Sequence, residues 1–64
     1  MINNNVRKFR DQKNVTQEAL AAAVGVSRQT IVAIEKSNYE PSLGLALKLV
    51  KYFNVSVEEL FMLR

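Results

Sequence analysis

The chain has 64 residues, nine Lys and Arg against six Asp and Glu, a net charge of +3, no histidine and no cysteine. Without Cys or His there is no disulfide to staple the fold and no ordinary set of zinc ligands. No run approaches the roughly 20 apolar residues of a membrane span, and the opening MINNNVRKF lacks the apolar centre of a secretory signal. A soluble intracellular domain is therefore expected, in keeping with a reducing cytoplasm. A domain this small buries only about 60% of its unfolded surface, so self-association is the remaining way to gain core. The basic excess favours polyanionic partners.

The first helix is expected from about Asn4 to Lys13, with Val6 and Phe9 turned inward and Val15 packing after it. Arg7, Lys8, Arg10 and Lys13 place much of the positive charge here. Such charge on its own is what many solvated helical faces carry, and it counts only in company with a motif. Thr16 then supplies a hydroxyl N-cap before a run of strong helix formers, Glu18 to Ala23. Gly25 closes that helix, because a residue without Cβ enters the left-handed region at little steric cost. Ser27 caps a third helix almost at once, its oxygen within reach of the N–H around Thr30, and Ile31 and Ile34 carry the helical apolar spacing toward Lys36. Two helices joined by so short a turn cross steeply and need small or apolar residues where they meet. Leu20, Ala21, Val24, Val26, Ile31 and Ile34 supply them. Ser27, Arg28, Gln29, Val32, Ala33 and Lys36 are left for the outer face.

Ser37 to Pro41 favour a turn, and Pro41 biases Glu40 away from helix. Ser42 caps a fourth helix, about Leu43 to Phe53, whose apolar residues Leu43, Ala46, Leu47, Leu49, Val50 and Phe53 cover more than one face, as in a central helix. Asn54 ends it. Ser56, with Glu59 three residues later, forms a capping box for a last short helix from Val57 to about Met62. Met1 and Ile2 are expected to pair as an extended segment with Met62 and Leu63, the alternative being frayed ends. The expected architecture is an all-α, five-helix bundle, residues 1–64 forming one domain, with a helix-turn-helix at about 16–36.

The run from Gln17 to Glu35, with Gln at its first position, Ala at the fifth, Gly at the ninth and Ile at the fifteenth and eighteenth, resembles the Cro/C1-type (XRE) helix-turn-helix family. The resemblance continues from the helix carrying Arg10 to the tail SNYEPSLGLALKLVKYFNVSVEELF and covers nearly the whole chain. It implies a lambda-repressor-like fold that binds double-stranded DNA, with the second helix of the motif entering the major groove N-terminus first. The side chains it would bring to base edges are Ser27, Arg28 and Gln29, with Val32 and Ala33 one turn on. Arg pairs in bidentate fashion with guanine O6 and N7, and Gln with adenine N6 and N7, each worth about 1–3 kcal/mol of discrimination. Val32 and Ala33 can meet only thymine methyls or sugars. The blander readings are a phosphate contact or a solvated face for Arg28, and capping alone for Ser27.

Phosphate contacts are expected on either side. Thr16 and Gln17 stand at a helix N-terminus, which favours an anion, and Gln17 matches the family's phosphate-contacting glutamine. Lys36, Asn38 and Tyr39 follow the reading helix, although Asn38 can equally terminate it and Tyr39 can pack its ring on the core. Glu40 runs against this pattern. Arg10 and Glu35 match positions where related repressors hold a structural ion pair, which here would fix helix one against helix three; Arg10 also stands among the phosphate candidates.

One reading helix sees few base pairs, so a homodimer on an inverted repeat is expected, with half-sites about one helical turn apart. Leu60, Phe61, Met62 and Leu63 crowd apolar side chains at the end and are the expected interface, Leu60 or Phe61 also being needed to close the core. With no further domain, the expected mechanism is repression by occupying a promoter, without cofactor, metal, small-molecule ligand or membrane. The rival reading is an antitoxin-like module that binds a protein and touches DNA secondarily; its mark, a partner-binding tail, is absent. An enzyme is disfavoured. The carboxylates Asp11, Glu18, Glu35, Glu40, Glu58 and Glu59 are scattered over polar faces, and adjacent Glu58 and Glu59 point about 100° apart on a helix.

Overall fold

A computed structural model describes residues 2–63. In chain order it contains β1 (Ile2–Asn4), α1 (Val6–Gln12), α2 (Gln17–Val24), α3 (Arg28–Glu35), α4 (Leu43–Phe53), α5 (Val57–Leu60) and β2 (Phe61–Leu63). No helix among the described residues is long and apolar enough to cross a membrane.

The helix starts follow from hydroxyl caps. Thr16, Ser27, Ser42 and Ser56 accept hydrogen bonds from the backbone N–H of Ala19, Thr30, Leu45 and Glu59. Glu59 returns the favour by accepting from the Ser56 N–H at 2.9 Å, completing the expected capping box. The helix ends follow from a single device used four times. Asn14, Gly25, Ser37 and Asn54 take left-handed φ values of 58°, 77°, 60° and 57°. In each case the next residue's N–H reaches back to the carbonyl five residues earlier: Val15 to Arg10, Val26 to Ala21, Asn38 to Ala33 and Val55 to Val50, at 2.9–3.1 Å. This is the Schellman closure, which usually carries an apolar residue just past the turn. Val15, Val26 and Val55 fill that role and pack against the core. After α3 the position holds the polar, exposed Asn38 instead.

Val6, Leu20, Ile31, Ile34, Leu49 and Leu60 are fully buried and form the centre where α1 to α5 meet. Ala21 and Val24 are buried with them, as the crossing of α2 and α3 requires. On α4 the buried residues are Leu45, Leu49 and Val50, whereas Leu43 and Leu47 are 75% and 50% exposed. The expected inward placement of Leu43 and Leu47 is thus corrected. Residues two apart on a helix point about 200° from one another, so burying Leu45 and Leu49 turns Leu43 and Leu47 outward.

The chain ends pair. β1 and β2 are antiparallel, with Ile2 opposite Leu63, Asn3 opposite Met62 and Asn4 opposite Phe61. Met1, the other half of the expected pairing, lies outside the described residues. This sheet shortens both flanking helices relative to expectation. α1 begins at Val6, because Asn4 is held in the strand: its side-chain oxygen accepts from the Val6 N–H at 3.1 Å and its amide donates to the Ile34 carbonyl at 2.7 Å. α5 stops at Leu60, short of Met62, because Phe61 is extended at φ −125°, ψ 135° and enters β2.

Candidate nucleic-acid interface

The turn between α2 and α3 is built from Gly25, Val26 and the cap Ser27. Ile31 and Ile34 anchor the inner side of α3 in the core. Its opposite side presents Ser27, Arg28 and Gln29 exposed on the first turn, half-buried Val32 and Ala33 on the next, and exposed Lys36 at the end. The Ser27 hydroxyl is committed locally, accepting from the Thr30 N–H at 3.3 Å and sharing a hydrogen bond with the Thr30 hydroxyl at 3.0 Å.

Beside this turn lies an open cleft of about 640 Å³ between α1, α2 and α3, lined by Arg7, Arg10, Thr16, Gln17, Glu18, Arg28 and Glu35. Arg10 and Glu35 form its base, with side chains only 13% and 7% exposed. The Arg10 Nε donates to Glu35 Oε2 at 2.8 Å, Nη2 to Glu35 Oε1 at 3.3 Å, and Nη1 to the Val15 carbonyl at 3.0 Å. These hydrogen bonds to Glu35, with its negative charge, hold the Arg10 guanidinium above its ordinary range against the opposing effect of desolvation. Arg10 therefore stays charged at any working pH. It is the structural ion-pair residue the sequence suggested, joining α1 to α3. Three of its five N–H donors are committed to Glu35 and Val15.

The network reaches further than the pair. Gln17 Nε2 donates to Glu35 Oε1 at 3.1 Å, and Arg28 Nη2 donates to Gln17 Oε1 at 3.4 Å. A line of side chains thus runs from α1 through the end of α3 and the start of α2 back to the exposed turn of α3. Both ends of the Gln17 amide are engaged. What Gln17 offers an incoming anion is its backbone N–H, which, like that of Glu18, is one of the first donors of a helix and has no intrahelical partner. Arg7 stands at the cleft's exposed side, 3.8 Å from Asp11 with both side chains open to solvent. In sequence Arg7 is only one of several basic residues on the first helix; its position beside the α2 N-terminus shows only in three dimensions.

At the far end of α3, Asn38 and Tyr39 are exposed, Tyr39 by 47%. Ser37, rather than Asn38, takes the helix-ending conformation, which leaves the Asn38 side chain without that task. Of the residues expected at a subunit interface, Leu60 is fully buried inside the protomer and is corrected to core. Phe61 is half-buried against that core, Met62 is half-buried, and Leu63 is 86% exposed.

Among the described residues no group of three or more acidic residues, His or Cys is placed to hold a metal ion. Comparison with known proteins gives a consistent picture. The helix-turn-helix family model matches residues 6–60. An uncharacterized HTH-type transcriptional regulator of Methanocaldococcus jannaschii is 53% identical over 58 residues, covering 91% of this chain and 88% of that protein. The cryptic phage CTXphi transcriptional repressor RstR of Vibrio cholerae is 33% identical over 60 residues, 94% of this chain and 54% of the repressor. The solution structure of the DNA-binding domain of the P22 c2 repressor superposes with a TM-score of 0.77 at 34% identity, covering 83% of this chain and 70% of that one. With its motif geometry, its matched length and its relatives in agreement, the chain belongs to the Cro/C1-type (XRE) helix-turn-helix family and is a DNA-binding transcriptional regulator, not an enzyme.

Proposed function

We propose that residues 1–64 act as one DNA-binding domain that pairs into a homodimer, occupies an inverted-repeat operator overlapping a promoter, and represses by excluding polymerase. The observation that carries this reading is the first turn of α3. It stands exposed on a helix whose other side is locked in the core by Ile31 and Ile34, and it adjoins a cleft rimmed by Arg7 and Arg28. A rigid support of this kind lets side chains meet base edges without first paying to order them.

In this reading Arg28 and Gln29 read bases through bidentate hydrogen bonds. Ser27 serves first as cap and touches the DNA at most with its remaining hydroxyl capacity. Val32 and Ala33 offer a small apolar surface to thymine methyls. Thr16, the Gln17 backbone, Lys36, Asn38 and Tyr39 clamp phosphates on either side and set register without reading sequence. The protein works in the cytoplasm, on the nucleoid, and needs no cofactor or small-molecule ligand. A protein-interaction module gains no support from the named relatives, which are transcriptional regulators.

Selection from a random duplex library at low and moderate salt tests the proposal. Enrichment of an inverted repeat with half-sites about one helical turn, 10–10.5 base pairs, apart is the expected result. Binding without sequence enrichment that collapses with salt overturns it, leaving only a basic surface holding phosphates.

A further inference from the structure

Four of the five lysines, Lys8, Lys13, Lys48 and Lys51, are exposed on α1, its C-cap and the second half of α4. A row of half-buried rings joins them. Phe9 of α1 lies 6.0 Å from Phe53 of α4, and Phe53 lies 5.2 Å from Tyr52, edge to face. The Lys8 ammonium is 5.9 Å from the centre of the Phe9 ring, and that of Lys13 is 5.2 Å from the centre of the Tyr52 ring. Lys51 directly precedes Tyr52, and Lys48 lies one helical turn before it on the same side of α4. No acidic residue stands on α4, and the single acid of α1, Asp11, is turned toward Arg7 and Arg10. Among the described residues no lysine takes part in an ion pair.

This patch is separate from the reading surface. Phe9 follows Arg7 by two residues, about 200° around α1, so the row of rings lies on the side of α1 away from the cleft that Arg7 lines. On the reading side Arg10 is neutralised by Glu35 and Arg7 lies beside Asp11, which leaves Arg28 and Lys36. More uncompensated positive charge therefore sits off the reading helix than on it.

The chemistry of the patch selects its occupant. A lysine ammonium is a compact point charge that holds phosphate without reading a base. A protein partner needs an apolar anchor, and none of these rings is among the exposed large hydrophobic residues. A single strand needs open ring faces on which to stack its bases, whereas Phe9, Tyr52 and Phe53 are half-buried. The phosphate backbone of a duplex asks for neither. We propose that the lysines around Phe9 and Tyr52 hold the backbone of a second DNA duplex while the first turn of α3 reads the first, so that the bound protein bridges two segments of DNA. The inference rests on the DNA-binding reading above. With about four phosphates neutralised, the second contact weakens roughly 150-fold between about 50 and 200 mM salt.

An operator duplex obtained by selection, immobilised and filled on both half-sites so that no reading helix is free, tests this with a labelled second duplex lacking the operator. The wild type is expected to capture the second duplex at about 50 mM salt and to release it by about 200 mM. The variant K13Q/K51Q/E58Q/E59Q removes two charges of each sign and keeps the net charge of +3, and Glu59→Gln leaves an amide oxygen that still accepts from the Ser56 N–H. It is expected to keep its circular dichroism spectrum and its operator affinity within about twofold, and to capture the second duplex at least about tenfold more weakly with about half the salt dependence. K13R/K51R, which retains both charges, is expected to capture like the wild type. A filled operator that captures nothing overturns the proposal, as does equal capture by the Gln variant. If selection yields no operator, the functional reading fails and the patch is judged on random-sequence duplex: a loss of at least about tenfold for the Gln variant upholds it, and an unchanged affinity overturns it.

Discussion

Replacing Glu35 with Ala removes the acceptor for three hydrogen bonds, two from Arg10 and one from Gln17. What remains for the Arg10 guanidinium is the Val15 carbonyl and a 3.7 Å approach to exposed Asp11. Breaking one side of a buried ion pair costs about 3–5 kcal/mol, chiefly through the charge left without its partner. Because Arg10 keeps these two neighbours and some access to water, the lower end, about 3 kcal/mol, is expected. A chain of 64 residues has a total stability of about 3–10 kcal/mol. The loss therefore lowers Tm by roughly 12–24 °C, at about 4–8 °C per kcal/mol for a domain of this size. Thermal unfolding followed by far-UV circular dichroism, for Glu35→Ala, Arg10→Ala and the double variant, measures it. The double variant should cost about 2 kcal/mol less than the sum of the singles, because the second removal relieves a charge already stranded. Arg7→Ala is the control: its contact with Asp11 is 3.8 Å long with side chains 77% and 61% exposed, and contributes under about 0.5 kcal/mol. Additive single effects, or a Glu35→Ala loss no greater than that of Arg7→Ala, would refute the argument that this pair ties α1 to α3.

Ser27→Ala is expected to cost about 1 kcal/mol by uncapping α3, seen as a Tm drop of several degrees. The two left-handed positions flanking α3 should respond oppositely. Gly25→Ala loses about 1 kcal/mol from backbone conformation alone, since an added Cβ meets nothing within 4 Å, while Ser37→Gly, at φ 60°, gains about 0.5–1 kcal/mol. Urea unfolding of both variants gives the two signs directly. In competition binding across single-base operator variants, Arg28→Ala and Gln29→Ala should each erase about 1–3 kcal/mol of preference at particular base pairs. Lys36→Ala, which removes a charge assigned to a phosphate, should weaken all sequences alike. An equal, sequence-independent loss for all three would remove the distinction between readers and clamps.

The local devices of this fold were legible in the chain because each depends on neighbours in sequence. A hydroxyl before a helix, a glycine after it and a Ser three residues before a Glu act within one turn, and Thr16, Ser27, Ser42, Ser56, Gly25 and Asn54 all do what their chemistry suggests. Asn14 and Ser37 perform the same closure as Gly25 with a Cβ attached; Asn is the usual alternative to Gly there, whereas Ser37 carries only the general turn preference of its segment. The spacing of Gln17, Ala21, Gly25, Ile31 and Ile34 was enough to place the motif and to separate the inner from the outer side of α3.

Tertiary structure decided everything that depends on which distant groups meet. The line from Arg10 through Glu35 and Gln17 to Arg28 joins residues 25, 18 and 11 apart in sequence, and it ties the side chains of Arg10 and Gln17 into the scaffold. Leu43, Leu45, Leu47 and Leu49 are the same residue type on one helix, so hydropathy cannot rank them; only the direction of α4 against the bundle buries two and exposes two. The final segment continues a helical pattern in sequence, yet Phe61 leaves the helix because β1 offers its backbone partners from the other end of the chain. Periodicity and capping are short-range and are written in order along the chain, whereas burial, pairing and the free surface belong to the assembled fold.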